Sequence, residues 1–87
     1  MKLKIFTKVD CPNCPLAKAL GKKFETNGTA VEWYDLDEEE GLMEAVYHDV
    51  LSTPSLLVFT ENDTLAKAWH GKVPEENELK KALKIEE

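Results

Sequence analysis

The chain has 87 residues, enough for one small domain that buries only roughly 60–65% of its unfolded surface. Its composition, 43% hydrophobic and 32% charged with few glycines and prolines, argues against disorder, and a net charge of −6 disfavours nucleic acid and anionic membrane surfaces as partners. No segment approaches the ~18 apolar residues of a membrane span, and Met1 to Phe6 lack the apolar run of about 7–15 residues of a signal peptide, so a cytoplasmic location is expected.

Leu3 to Thr7 reads as the first strand, with Leu3 and Ile5 alternating against Lys2 and Lys4. A Cys-Pro-Asn-Cys-Pro segment, Cys11 to Pro15, follows. Behind it Leu16, Ala17, Leu20 and Phe24 recur at helical spacing, with Lys18, Lys22 and Lys23 on the other side. Pro12 and Pro15 suit a helix start, where backbone N–H groups lack partners anyway, and Asn27-Gly28 suits its end. Thr29 to Leu36 is the second strand, with Trp33 and Tyr34 pointing to opposite sheet faces as structural residues. After the break at Asp37 to Gly41, the residues Leu42, Met43, Ala45, Val46 and Val50 predict a short amphipathic helix. The acidic residues Asp37 to Glu40 suit the positive end of its dipole. The run also offers a docking patch, but a solvated helix start is the simpler reading.

Ser55 to Thr60 contains an unbroken apolar run, which predicts a strand covered on both faces and central in its sheet. Glu61 to Asp63 is a turn. Leu65 to Trp69 is the next strand, paired as a hairpin and stopped at Gly71. Pro74 opens a last helix, acidic early and basic late, whose buried face is Leu79, Ala82 and Leu83. The order is β-α-β-α-β-β-α. A right-handed crossover makes the first two strands parallel, and the hairpin adds two more. The expected fold is α/β: one domain over residues 1–87, a four-stranded mixed sheet with helices on both faces. His48 and His70 are read as surface or packing residues, and Trp69 as core rather than a partner contact.

The only two cysteines, Cys11 and Cys14, are three positions apart. A loop that small gains little from a structural disulfide. A zinc site needs four ligands, and only the scattered His48 and His70 could complete one within the chain. Two chains sharing a metal or iron–sulfur cluster through both cysteines remains the alternative from another class. Redox chemistry is the stronger reading. Cys11 falls at the end of a strand and the start of a helix, where unpaired N–H groups and the helix dipole favour a thiolate, the attacking species in disulfide exchange. Lys8 adds a positive charge and Asp10 opposes it, so the thiol pKa is expected to be lowered but not extreme. Cys14, one helical turn on, lies deeper and resolves the mixed disulfide that Cys11 forms. The pair stores two electrons, so no cofactor or metal is required.

A Cys-x-x-Cys pair between strand and helix in a βαβ unit resembles the thioredoxin superfamily at the size of glutaredoxins and related redoxins. Phe6-Thr7-Lys8-Val9-Asp10-Cys11-Pro12-Asn13-Cys14 is similar to the glutaredoxin opening. The resemblance implies a minimal thioredoxin fold, a nucleophilic Cys11, a resolving Cys14, and Lys8 as a thiolate-stabilising or ligand-contacting residue. Pro12 and Asn13, between the cysteines, join the expected substrate-binding set. Ser52-Thr53-Pro54-Ser55 stands where the family carries a proline after a cis bond, which implies that Thr53 offers its N–H and C=O to an extended substrate beside Pro54. Glutaredoxins bind glutathione partly through a Gly-Gly pair followed by Asp or Ser. Here Trp69-His70-Gly71-Lys72-Val73-Pro74-Glu75 has the single Gly71. Its Trp69-x-Gly71-x-x-Pro74-Glu75 spacing is similar to redoxins that serve ribonucleotide reductases and are reduced by thioredoxin reductase. The Thr53-Pro54 approach to Leu56–Phe59 and the second proline, Pro15, resemble small archaeal and bacterial thioredoxin-like proteins. The resemblance therefore implies a monomeric dithiol–disulfide oxidoreductase acting on disulfide-containing proteins. A thioredoxin reductase is the expected reductant, and glutathione the alternative.

Overall fold

Seven elements follow in the expected order: β1 (Lys2–Thr7), α1 (Cys14–Thr26), β2 (Ala30–Asp35), α2 (Glu39–Tyr47), β3 (Ser55–Phe59), β4 (Leu65–His70) and α3 (Glu76–Ala82). The computed structural model describes residues 1–85, so the last two residues of the expected 1–87 domain lie outside the described residues. The sheet order is β2-β1-β3-β4. β1 and β2 are parallel, with Thr7 beside Asp35. β3 runs antiparallel to β1, with Phe6 opposite Ser55, and β4 antiparallel to β3, with Ser55 opposite His70. β3 is buried along its whole length, as its unbroken apolar run requires.

The period-2 alternation of the strands divides the interior into two cores. On one side Leu3, Ile5, Leu56, Val58 and Trp69 pack with Ala17 and Phe24 of α1 and with Leu79 and Leu83 of the α3 region; Trp33 is partly buried against them. On the other, Phe6, Leu57 and Phe59 pack with Ala45 of α2 and Val50, joined by Tyr34. Trp33 and Tyr34 therefore do face opposite sides, and Trp69, 3% exposed, is core.

The α2 layer also holds a polar cluster. Lys4, on the Phe6 side of β1, donates to Glu44 at 2.6 Å and lies 3.2 Å from His48 Nε2, while the Tyr34 hydroxyl donates to Glu32 at 2.7 Å. His48 packs its ring against Phe6, Tyr47 and Phe59 and is a packing residue.

One expectation about a helix is corrected. The last helix starts at Glu76, not Pro74: Pro74 is buried just ahead of it, and Glu78 accepts the Glu75 N–H at 3.3 Å to tie down the first turn. At α2 the structure decides what the sequence leaves open. The sequence predicts a short amphipathic helix from Leu42, Met43, Ala45, Val46 and Val50, without saying which of them face the core. Ala45 and Val50 are buried, but Leu42, Met43 and Val46 are exposed, and the helix rests on the sheet through Gly41 and Ala45. The reason is close approach. A Cβ on Gly41 would lie 2.0 Å from the Asp35 carbonyl oxygen, so only a glycine lets the helix sit this near β2. The small side packs inward and the large side faces out.

Candidate active site

The strand registers bring four chain segments to one end of the sheet. β1 and β2 both finish there, β3 begins there with Ser55 opposite Phe6, and β4 finishes there with His70 opposite Ser55. Thr7 leads out of β1 toward Cys11, Thr53-Pro54 leads into β3, and Gly71 follows β4.

Cys11 and Cys14 are joined by a disulfide with an S–S distance of 2.02 Å. Cys14 is the first residue of α1 and Cys11 precedes the helix in a turn closed by the Cys14 N–H to the Cys11 carbonyl at 3.2 Å. The helix starts here because Pro15, which lacks an N–H, stands in its first turn, where no carbonyl partner is needed. That turn has no acidic side chain and Asn13 forms no side-chain cap, so the positive end of α1 meets no carboxylate of its own first turn. Cys11 is 8% exposed and Cys14 2%. Pro12 and Asn13 form the exposed crest between them.

The Thr53–Pro54 peptide bond is cis. Pro54 is fully buried, and Thr53 is half-buried with its N–H and C=O in none of the loop hydrogen bonds among the described residues. The loop is braced by the Ser55 hydroxyl donating to the Ser52 carbonyl at 2.7 Å. Gly71 has φ of +73°, the left-handed region that favours glycine, and a Cβ there would lie 3.2 Å from Ser52 Oγ. Gly71 is thus apposed to the loop that carries Thr53 and Pro54. Lys8 is exposed and forms no ion pair among the described residues, so the structure does not bring it into a charged contact.

Two positioning residues escaped the sequence reading. Asp37 accepts the Val9 N–H at 2.7 Å through Oδ2, while the Leu36 N–H donates to the Thr7 carbonyl at 2.8 Å; together they fasten the segment before Cys11 to the end of β2. Ser52 lines the loop opposite Gly71. Asp37 lies 28 positions from its partner, inside a run of acids that reads as a helix start, and nothing in its spacing marks the contact.

A β2-β1-β3-β4 sheet with a Cys-x-x-Cys disulfide where β1 leads into α1 defines a small redoxin of the thioredoxin superfamily. The chain belongs to the thioredoxin domain family, whose model matches residues 1–84. Its fold is similar to that of a malarial protein (TM-score 0.78, 21% identity, 95% of this chain and 92% of that one). It is also similar to thioredoxin 1 from the thermophilic eubacterium Thermosipho africanus (0.68, 16%, 97% and 91%). A thioredoxin from Thermus thermophilus gives 0.66 at 19% identity, over 97% of this chain and 72% of that one. At these identities the likeness establishes the fold. A search of the curated proteins found no match. The fold and the bonded cysteine pair together fit a thiol–disulfide oxidoreductase. No helix among the described residues is long and apolar enough to cross a membrane.

Proposed function

We propose that the protein reduces disulfide bonds in protein substrates, acting as a monomer in the cytoplasm and drawing its electrons from a thioredoxin reductase. One observation carries this reading: the chain's two cysteine sulfurs are bonded at the start of α1, with the first less buried than the second. In the reduced protein the Cys11 thiolate attacks one sulfur of a substrate disulfide. A Cys11–substrate disulfide forms and the other substrate sulfur leaves as a thiolate. The Cys14 thiolate then attacks the Cys11 sulfur. The Cys11–Cys14 disulfide forms, the second substrate thiolate leaves, and the substrate has gained two electrons. A dithiol of the reductase returns them. The unengaged Thr53 backbone supports substrate binding by strand addition next to Pro54, with Pro12, Asn13 and Gly71 around the same end of the sheet. The single Gly71, in place of a glycine pair, supports the thioredoxin-reductase assignment over glutathione.

The test compares NADPH plus thioredoxin reductase with glutathione plus its reductase, both from the same organism, using turnover of a model protein disulfide. Turnover with the first system alone is the expected result. Turnover with glutathione alone would transfer the protein to the glutathione-dependent class. No turnover even with dithiothreitol would overturn the oxidoreductase reading itself.

A further inference from the structure

The apolar side chains on the outer face of α2 stand exposed to solvent. Successive helical residues turn by about 100°, so Leu42, Met43, Val46 and Tyr47 cover about 140° of the helix, opposite Gly41 and Ala45. These four are 51%, 65%, 68% and 80% exposed. A contiguous apolar surface of this kind, absent from the usual solvated helix, marks an interaction site.

The charges around it select the partner. Residues 24–66 contain no lysine or arginine, yet carry eleven of the chain's seventeen acidic residues. Glu38, Glu39 and Glu40 at the start of α2, and Asp49 just beyond its end, are exposed and join no ion pair among the described residues. The cation beneath the helix, Lys4, is only 13% exposed and is committed to Glu44. An open groove of about 520 Å³ runs along the helix, lined by Tyr34, Glu40, Met43, Glu44 and Tyr47. Aromatic rings beside carboxylates suit a side chain with an apolar stem and a cationic head. A second copy of this chain fits poorly. A twofold pairing would set Glu38–Glu40 of one copy against Asp49 of the other, with no cation on either α2.

We propose that the outer face of α2 docks a basic amphipathic helix of a partner protein, its apolar side against Leu42, Met43 and Val46 and a lysine or arginine in the groove beside Glu40 and Tyr47. The face belongs to the helix on the far side of the sheet from α1, so this contact is independent of the disulfide chemistry.

The test uses a synthetic helical peptide about two heptads long, with leucines on one face and arginines at its margins, and a control with the arginines replaced by glutamates. Each is titrated into the ¹⁵N-labelled protein. The expected result is saturable shift changes centred on residues 39–47 and Tyr34 with the arginine peptide only, weakened by added salt. The double substitution Glu39→Lys, Glu40→Lys should weaken binding roughly tenfold, since each exposed attraction becomes a repulsion. Met43→Ser with Val46→Ser should weaken it comparably, while the far-UV spectrum and turnover with dithiothreitol stay unchanged. Equal binding of the glutamate peptide, or shifts centred elsewhere, would overturn the proposal. So would sedimentation showing a dimer that the serine pair dissolves, because the face would then be covered by a second copy.

Discussion

Gly41→Ala is the sharpest test of how α2 is held. In an exposed helix interior this change stabilises by about 1 kcal/mol, because alanine loses less backbone entropy. Here the new methyl would lie 2.0 Å from the Asp35 carbonyl oxygen, 2.5 Å from its carbon and 2.7 Å from the Asp35 nitrogen. All three are backbone atoms, so no side chain can rotate away. The carbonyl is also fixed by the Glu38 N–H at 3.0 Å. Relief requires the helix to lift off β2 by more than an ångström, opening the core that Ala45 shares with Phe6 and Phe59. Overpacking of this sort costs about 1–3 kcal/mol, and an all-backbone clash belongs at or above the top of that range. The net expectation is a loss of about 2 kcal/mol, or a fall in Tm of roughly 8–16 °C for a domain this size. Thermal unfolding followed by far-UV circular dichroism measures it. An unchanged or raised Tm would refute the claim that α2 seats its small side on the end of β2.

Further expectations concern the core, the cysteines and the polar cluster. Leu56→Ala, in the fully buried central strand, should cost about 2–5 kcal/mol in urea unfolding, and a value under 1 would contradict the two-core description. Cys14→Ser should accumulate a covalent complex with a substrate through Cys11, visible on a non-reducing gel, whereas Cys11→Ser should not; trapping by the second variant would reverse the roles. Lys4 holds the Glu44 carboxyl below the usual carboxylate range by a hydrogen bond, and Tyr34 does the same to Glu32. A carboxyl depressed by folding stabilises above its unfolded value of 4.5, and that contribution is lost as pH falls through the lower folded value. The urea midpoint should therefore decline below about pH 4.5, less steeply in Lys4→Met; an identical acid slope in that variant would remove Lys4 as the cause. Burial, aided by Glu32, pushes the Tyr34 phenol up, so its stabilisation is complete below pH 10.0 and lost above it, a loss that Tyr34→Phe should abolish.

Most of the architecture was legible because each strand announces its own environment. The unbroken Leu56–Phe59 run needs two covered faces, and the structure places it between β1 and β4. Leu3 and Ile5 against Lys4 fix which side of β1 faces α1. The Cys-Pro-Asn-Cys segment marks the junction of strand and helix. What periodicity cannot supply is the direction in which an apolar stripe points. Leu42, Met43, Val46 and Ala45 mark an amphipathic helix but not its inward side, and the outcome was decided by Gly41, whose missing side chain allows an approach to Asp35 that no local pattern encodes. Asp37 with Val9, and Gly71 with Ser52, were illegible for a related reason: both meet across strand ends far apart in the sequence. The helix boundary after Pro74 was missed because proline favours the first turn without dictating it.

The seating of α2 on two small residues separates what the fold needs from what neighbours see. Gly41 and Ala45 carry the load of attachment, while the side chains at positions 42, 43 and 46 stand mostly in solvent. Relatives with the same interior could exchange these three residues without refolding anything, and so acquire a new address while keeping the same electron-handling end. A library randomised at these positions should stay folded in most of its members, with diversity concentrated in whom each one meets.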